Sequence, residues 1–533
     1  MWLHRCLPGR SLAVTPLSLL WLCTSAAHAE FAGEIPITEA SATIALDDDL
    51  PGVIIQPICS VGDVNADGFD DLLICDDDAL DLPSTTGVLL FLGRGEGWES
   101  NMPRTSADAS LSFPGLSDPL NKRVARLGDV NGDGFDDFMV ASTDTATAYL
   151  FLGREEIDWG QGADATDVAD VVFQRAVPGD RAAREIAGAG DVDGDGLSDF
   201  LISAPGRGTV GHPDFIPARL YLFYGRASAQ WWDQTATLSA ADAVFIAPRA
   251  FFFGTGICGV GDVNGDGYDD FLSFDIDNSG PSGVYVYRLF VGSSERYSGD
   301  YPVSVCALTL WPDASLQSSS AGALAGGEDV NGDGYDDFVI GRNDYSQTPS
   351  LWVALFLGRE QFNWGGTLPF PSQADALLTK HVHTEDIHTS TVVGLEMAED
   401  VDGDDLGDIL IGTMVEDSST YLTWGEVYLV SGRGGVWPQG ATFHTAATAV
   451  ITDPSQSEYF GDAMTSGDFN GDGLVDLALC RDSYTSPPTA CLFFNRSLLS
   501  SILDYLLGLG SGATDMNGDD RIDAADLVTV IGP

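Results

Sequence analysis

Asp262, Asn264, Asp266 and Asp270 stand at positions one, three, five and nine of the stretch DVNGDGYDD, with Tyr268 at position seven. Four oxygen-bearing side chains at this spacing, joined by the Tyr268 backbone carbonyl, make an oxygen-only donor set. Such a set suits a hard divalent cation, and a flexible cage of six or seven oxygens suits Ca2+ over Mg2+. Gly267 at position six permits the sharp turn that brings the two halves together. Without a cation, carboxylates this close repel one another. A metal-free Asp-Gly turn would account for one such stretch, but not for a series with the same oxygens.

The series has seven members. The first loop offers Asp63, Asn65, Asp67, Asp71 and the Phe69 carbonyl, and the second Asp129, Asn131, Asp133, Asp137 and the Phe135 carbonyl. The third has Asp191, Asp193, Asp195, Asp199 and Leu197; the fourth is the one quoted above; the fifth has Asp329, Asn331, Asp333, Asp337 and Tyr335. The sixth has Asp400, Asp402, Asp404, Asp408 and Leu406, and the seventh Asp468, Asn470, Asp472, Asp476 and Leu474. From one leading Asp to the next the steps are 66, 62, 71, 67, 71 and 68 residues. A repeat of this regularity decides the architecture.

The flanks place the loops. A segment of small residues precedes each one (GICGVG, IAGAG, ALAGG), and an apolar strand follows (DFMVA, DFLIS, DFVIG). A third strand ends in a Gly-Arg pair (LLFLGR, YLFLGR, ALFLGR), and a fourth apolar segment closes the unit (ASLSF, DVVFQ, DAVFI). Four short strands per repeat predict a propeller blade, with the small residues crowding the axis. Arg94, Arg154, Arg226, Arg359 and Arg433 are each followed within a few residues by a Trp, which predicts a repeated cation–π or carboxylate contact. The last repeat ends after three strands, so Ser41–Leu46 is expected to pair with Thr489–Phe494 and complete it.

The repeats resemble FG-GAP repeats of the integrin α-chain propeller. The likeness rests on FFGTGICGVGDVNGDGYDDFL at 252–272 and YFGDAMTSGDFNGDGLVDLAL at 459–479, and it extends over residues 41–495. It implies an all-β, seven-bladed propeller of four-stranded antiparallel blades, with Ca2+ in the loop between the first and second strands. All seven repeats carry the loop here, where integrins use only some. Asp405 stands where the sixth loop should have Gly, so that site is expected to be the weakest.

Outside the repeats, residues 1–29 read as a secretory leader, with Arg5 and Arg10 before an apolar run and AHA ahead of Glu30. The tail 496–533 holds DMNGDDRIDAAD, where Asp515, Asn517, Asp519, the Arg521 carbonyl and Asp526 follow EF-hand spacing. That tail resembles one half of a dockerin, which would make a cohesin-like partner conceivable, and it brings the expected Ca2+ sites to eight. The net charge of −56 argues against nucleic acid or anionic membrane as partner. Six Cys follow the leader, and hairpin register predicts Cys59 opposite Cys75, with Cys480 and Cys491 flanking a second hairpin. His381 and His383 alternate along a strand, but no third ligand is set by spacing.

No GxSxG, HExxH or phosphate-binding loop occurs. The expectation is a secreted or surface-exposed calcium-binding adhesion or ligand-binding module whose partner is an extracellular protein or glycan. The alternative is a polysaccharide-active enzyme, or another component of a carbohydrate system, carrying a dockerin-like tail. The calcium loops are nearly alike, whereas the loops on the opposite face vary. Recognition is therefore expected there, through Phe215, Tyr345, Tyr421 and Trp424.

Overall fold

The computed structural model describes residues 31–46, 58–75, 87–113, 122–208, 212–227, 233–248, 253–277, 284–313, 323–344, 350–360, 366–381, 387–417, 422–453, 460–483 and 486–495. The expected leader 1–29 and the tail with Asp515, Asn517, Asp519, Arg521 and Asp526 lie outside them. The described residues form seven sheets, one per repeat, and the fold is an all-β, seven-bladed propeller.

Blade two shows the plan. Lys122–Gly128 is innermost, followed by Asp137–Ser142, Thr147–Phe151 and Val171–Gln174, each antiparallel to the last. The innermost strands of neighbouring blades lie backbone to backbone. A Cβ on Gly188 would meet the Arg126 carbonyl oxygen at 2.9 Å, and one on Gly259 would meet that of Gly188 at 2.7 Å. That proximity is why the segments before the third, fourth and fifth loops are built from small residues. Phe pairs stack across the second and third strands, Phe138 on Phe151, Phe200 on Phe223 and Phe271 on Phe290. They fill the layers between blades, where burial of each ring contributes about 1.5–3 kcal/mol.

The blades have five strands where the sequence predicted four. After its third strand, each of the first six repeats sends a segment onto the outer edge of the preceding blade. Ala163–Asp164 thus runs parallel to Ala109–Ser112, and Thr235–Thr237 parallel to Val171–Gln174. A single helical turn such as Ala165–Val168 or Leu238–Ala240 then returns the chain to its own fourth strand. These additions are two to four residues long and lack the alternation that marks a strand in sequence. Their effect is to pair an edge that would otherwise present free N–H and C=O groups.

At the seam, Ala42–Ala45 lies antiparallel to the last strand, with Ala42 opposite Leu492 and Ala45 opposite Thr489. Gly33–Pro36 is the added fifth strand of blade six. One N-terminal segment therefore closes two blades.

The predicted cysteine registers are not found. A bulge between Ser60 and Gly62 shifts the first hairpin, so that Cys59 faces Leu73 while Cys75 faces Val88. Cys480 faces Ala490, and Cys491, one residue on, points into the opposite face of blade seven. Among the described residues, none of the six cysteines forms a disulfide. Among the described residues no helix is long and apolar enough to cross a membrane.

Candidate metal centre

Each acidic loop joins the innermost strand of a blade to its second strand, so all seven open on the same face of the ring. The leading Asp organises the turn. Asp129 Oδ1 accepts from the backbone N–H groups of Gly132 (2.6 Å) and Asp133 (3.1 Å), and its Oδ2 accepts from that of Gly134 (2.8 Å). The last of these bonds recurs from Gly68 to Asp63, Gly196 to Asp191, Gly267 to Asp262, Gly334 to Asp329 and Gly473 to Asp468. In the sixth loop Asp405 takes the glycine's place with φ 67°, and its N–H reaches Asp400 Oδ2 at 2.7 Å. An Asp here accepts the left-handed conformation that glycine would adopt without strain.

Position nine has a second role. Asp71, Asp137, Asp199, Asp270, Asp337, Asp408 and Asp476 are all completely buried. Asp137 Oδ2 accepts from the Val130 N–H at 2.9 Å, and its Oδ1 from the Gly153 N–H at 2.8 Å. The same pair of bonds holds Asp71 to Val64 and Gly93, and Asp408 to Val401 and Gly432. This carboxylate ties the loop to the glycine of the Gly-Arg pair on strand three. Burial, with a smaller contribution from the loop's other carboxylates, pushes Asp71, Asp137, Asp199, Asp270, Asp337 and Asp476 up to about 8, against the opposing pull of their backbone hydrogen bonds. A divalent cation beside such a group would favour its charged form.

The donor set fits a cation. Oxygens of Asp191, Asp193 and Asp199 lie within 4.8 Å of one another, as do those of Asp400, Asp402 and Asp408. Asn131, 4% exposed, turns its amide N–H to Asp133 (2.9 Å), while its Oδ1 accepts no hydrogen bond among the described residues. A buried carbonyl oxygen left over at ligand position three is what a missing cation would leave. Position seven contributes more than its carbonyl. The Tyr268, Tyr335 and Phe69 rings cover the position-four glycines of the preceding loops, where a Cβ on Gly194, Gly265 or Gly471 would come within 2.6, 2.3 and 2.2 Å of them.

Sequence reasoning passed over position eight. Asp136 Oδ2 accepts the backbone N–H of Asp63 in the preceding blade at 3.2 Å. Asp269 does so for Asp191 (2.7 Å), Asp336 for Asp262 (2.8 Å) and Asp70 for Asp468 (2.8 Å). The glycine before each of these four loops makes room for the latch, since a Cβ on Gly62 would fall 1.7 Å from Asp136 Oδ2. The signal lay in a swap between repeats. Where Glu328 replaces that glycine, position eight of the next loop becomes Gly407, whose Cβ would lie 2.6 Å from that of Glu328.

The Gly-Arg pairs form the expected contacts. Arg154 bonds Asp170 at 2.5 Å and Arg226 bonds Asp242 at 2.8 Å, while Arg94 and Arg359 pair with Asp108 and Asp375. Arg94 and Arg433 lie over Trp98 and Trp437 at 5.3 and 4.9 Å. On the opposite face, Phe215 is part-buried beside the bridge between Arg207 and Ile216. Trp424 falls in the strand Leu422–Val430, and Tyr345, Tyr421 and His383 lie outside the described residues.

The class this geometry defines is a seven-bladed propeller with an acidic clip in every blade. The FG-GAP repeat family matches residues 183–214 and 320–350. Over 158 residues the chain is 32% identical to integrin alpha-PS2 of Drosophila melanogaster, a match covering 28% of this chain and 11% of that protein. Over 221 residues it is 27% identical to integrin alpha-IIb of Mus musculus, covering 39% of this chain and 20% of that one. Among solved structures, the Dos1 propeller aligns with a TM-score of 0.32 at 8% identity, covering 85% of this chain and 95% of that one. The chain spans at most about a fifth of the length of the curated relatives it matches. The propeller is similar to that of integrin α-chains, and two of its segments match the FG-GAP repeat.

Proposed function

We propose that this propeller is a calcium-clipped, extracellular ligand-binding or adhesion module. The observation that carries the reading is the seven-fold recurrence of an oxygen-only loop, one copy of which leaves Asn131 Oδ1 buried and unbonded. Ca2+ would be held in such a loop by the side chains at positions one, three, five and nine and by the carbonyl at seven, neutralising charge that otherwise loosens the hairpin. The tail loop from Asp515 to Asp526 is an eighth candidate of the same chemistry. Similarity to integrin α-chains supports a protein ligand, and a glycan is the other class to test. The near-identity of the calcium-face loops supports recognition on the variable opposite face, around Phe215, Tyr345, Tyr421 and Trp424.

A protein and glycan array probed with and without calcium tests this. Specific capture that is lost on Tyr421→Ala and Trp424→Ala, with calcium content and melting temperature unchanged, is the expected result. Capture that survives those changes, but fails in folded variants of the calcium-face loops, reverses the assignment of faces. Excess chelator should also lower the melting temperature, because the apo loops leave like charges clustered. An unchanged melting temperature would refute the calcium reading.

A further inference from the structure

The third loop, like the sixth, departs from the five others at position three, and here the neighbourhood departs with it. Five loops have Asn at position three; here it is Asp193, so the loop carries four carboxylates. Beside it lies the segment that follows the third strand of blade four. In that blade Ser293 stands at the Gly-Arg arginine's position, and Ala307 stands where Asp108, Asp170 and Asp242 receive that arginine elsewhere. An arginine appears instead three residues later, at Arg296. The residues preceding the corresponding aromatic in the other repeats are Gly97, Asp158, Gln230, Asn363 and Val436, none of them cationic.

Arg296 reaches back into loop three. Its Nε lies 2.5 Å from Asp193 Oδ2, and its second terminal nitrogen bonds Asp195 Oδ2. The guanidinium stacks 5.1 Å above the Tyr224 ring, and Tyr224 replaces the leucine that blades one, two and five have at that place. The Tyr224 hydroxyl accepts from the Tyr297 N–H at 2.8 Å and so fixes the segment that carries Arg296. Asp193, Tyr224, Arg296 and Tyr297, contributed by two blades, therefore meet at one point. In loop two the Asn131 amide donates to Asp133. Asp193 has no such proton to give, and Arg296 supplies both the missing donor and a positive charge.

We infer that Arg296 is a tethered cation which occupies loop three in place of a divalent ion, making blade three the one blade clipped without metal. The inference rests on the calcium reading of the other loops. A guanidinium bridging positions three and five engages two of the four ligand side chains and lowers the field that would attract Ca2+. Its effective concentration at the loop is set by the chain, not by the medium.

Calcium stoichiometry by equilibrium dialysis on the folded chain tests this. Arg296→Gln should bind one more Ca2+ per chain than wild type, and Asp191→Asn in that background should remove it. In wild type, Asp191→Asn should leave the count unchanged, whereas Asp129→Asn should lower it by one; this arm leaves residue 296 untouched and holds even if Arg296→Gln misfolds. Amide exchange gives a second readout. In chelator, the Asp195 and Gly196 amides should stay protected while those of Asp133 and Gly134 open, and Arg296→Gln should abolish the difference. A wild type that loses one ion on Asp191→Asn, or an Arg296→Gln protein with unchanged stoichiometry, overturns the inference. If wild type binds no Ca2+, the reading of the other loops fails; a single ion gained by Arg296→Gln would still support the tethered cation, and none would overturn it.

Discussion

Within one loop, two aspartates of the same motif carry different physical loads. Asp137 accepts backbone N–H groups from its own loop and from the glycine just beyond the third strand, and it is completely buried. Asp133 is exposed, and its bonds stay within the loop. Alanine at 137 leaves two buried donors without a partner, a loss of about 1–3 kcal/mol for each. Asp137→Ala should therefore destabilise the protein by roughly 2–6 kcal/mol with calcium present and by nearly as much in chelator. Asp133→Ala should cost stability with calcium and almost nothing without it. Paired denaturant titrations with and without EDTA check the contrast. Equal calcium dependence of the two variants would mean that position nine acts as a ligand alone.

Between elements, the innermost strands are joined by side chains as well as by close backbones. Glu396 on blade six accepts from the Ser466 N–H (2.9 Å) and hydroxyl (2.8 Å) of blade seven. Burial raises this carboxyl from 4.5 to about 7, and nearby Glu399 adds to the rise, while the Ser466 bonds oppose it. Its folded value lies above its unfolded one, so its contribution is complete below pH 4.5 and is lost as pH rises through about 7. Glu396→Gln keeps an acceptor for Ser466 and does not titrate. Relative to that variant in chelator, wild type should lose on the order of 2 kcal/mol between those limits; parallel pH profiles would show the shift to be absent. Much of this scale was legible in sequence. The period, the hairpins and the loop oxygens all recur, and recurrence separates signal from composition. The added strands were not legible, because Ala163–Asp164 has no periodicity to read. The position-eight latch was hidden because Asp136 looks like one more acidic residue of its loop, although its partner is in another blade. Arg296 was hidden for the opposite reason, being a single departure judged against an average repeat.

For the whole molecule, closure depends on sixteen residues at one end of the described chain. Residues 31–46 supply the fourth strand of blade seven and the fifth of blade six. Phe31, Ile37, Ile44 and Leu46 are all buried there. At about 1.5–3 kcal/mol for each such side chain, their loss is comparable to the entire net stability of a domain, about 5–15 kcal/mol. Removing the segment would also leave Ser486–Phe493 with an unpaired edge next to apolar surface, a template for another chain. Calcium cannot substitute for it, since the loops clip strands within a blade and the seam lies between chain ends. A protein starting at residue 47 should therefore melt far below the full chain even in saturating calcium, and it should self-associate in light scattering. A synthetic peptide of residues 31–46 added in trans should bind it, restore most of the melting temperature and return it to a monomer. A truncated protein that stays monomeric with an unchanged melting temperature would show that the ring is held shut elsewhere.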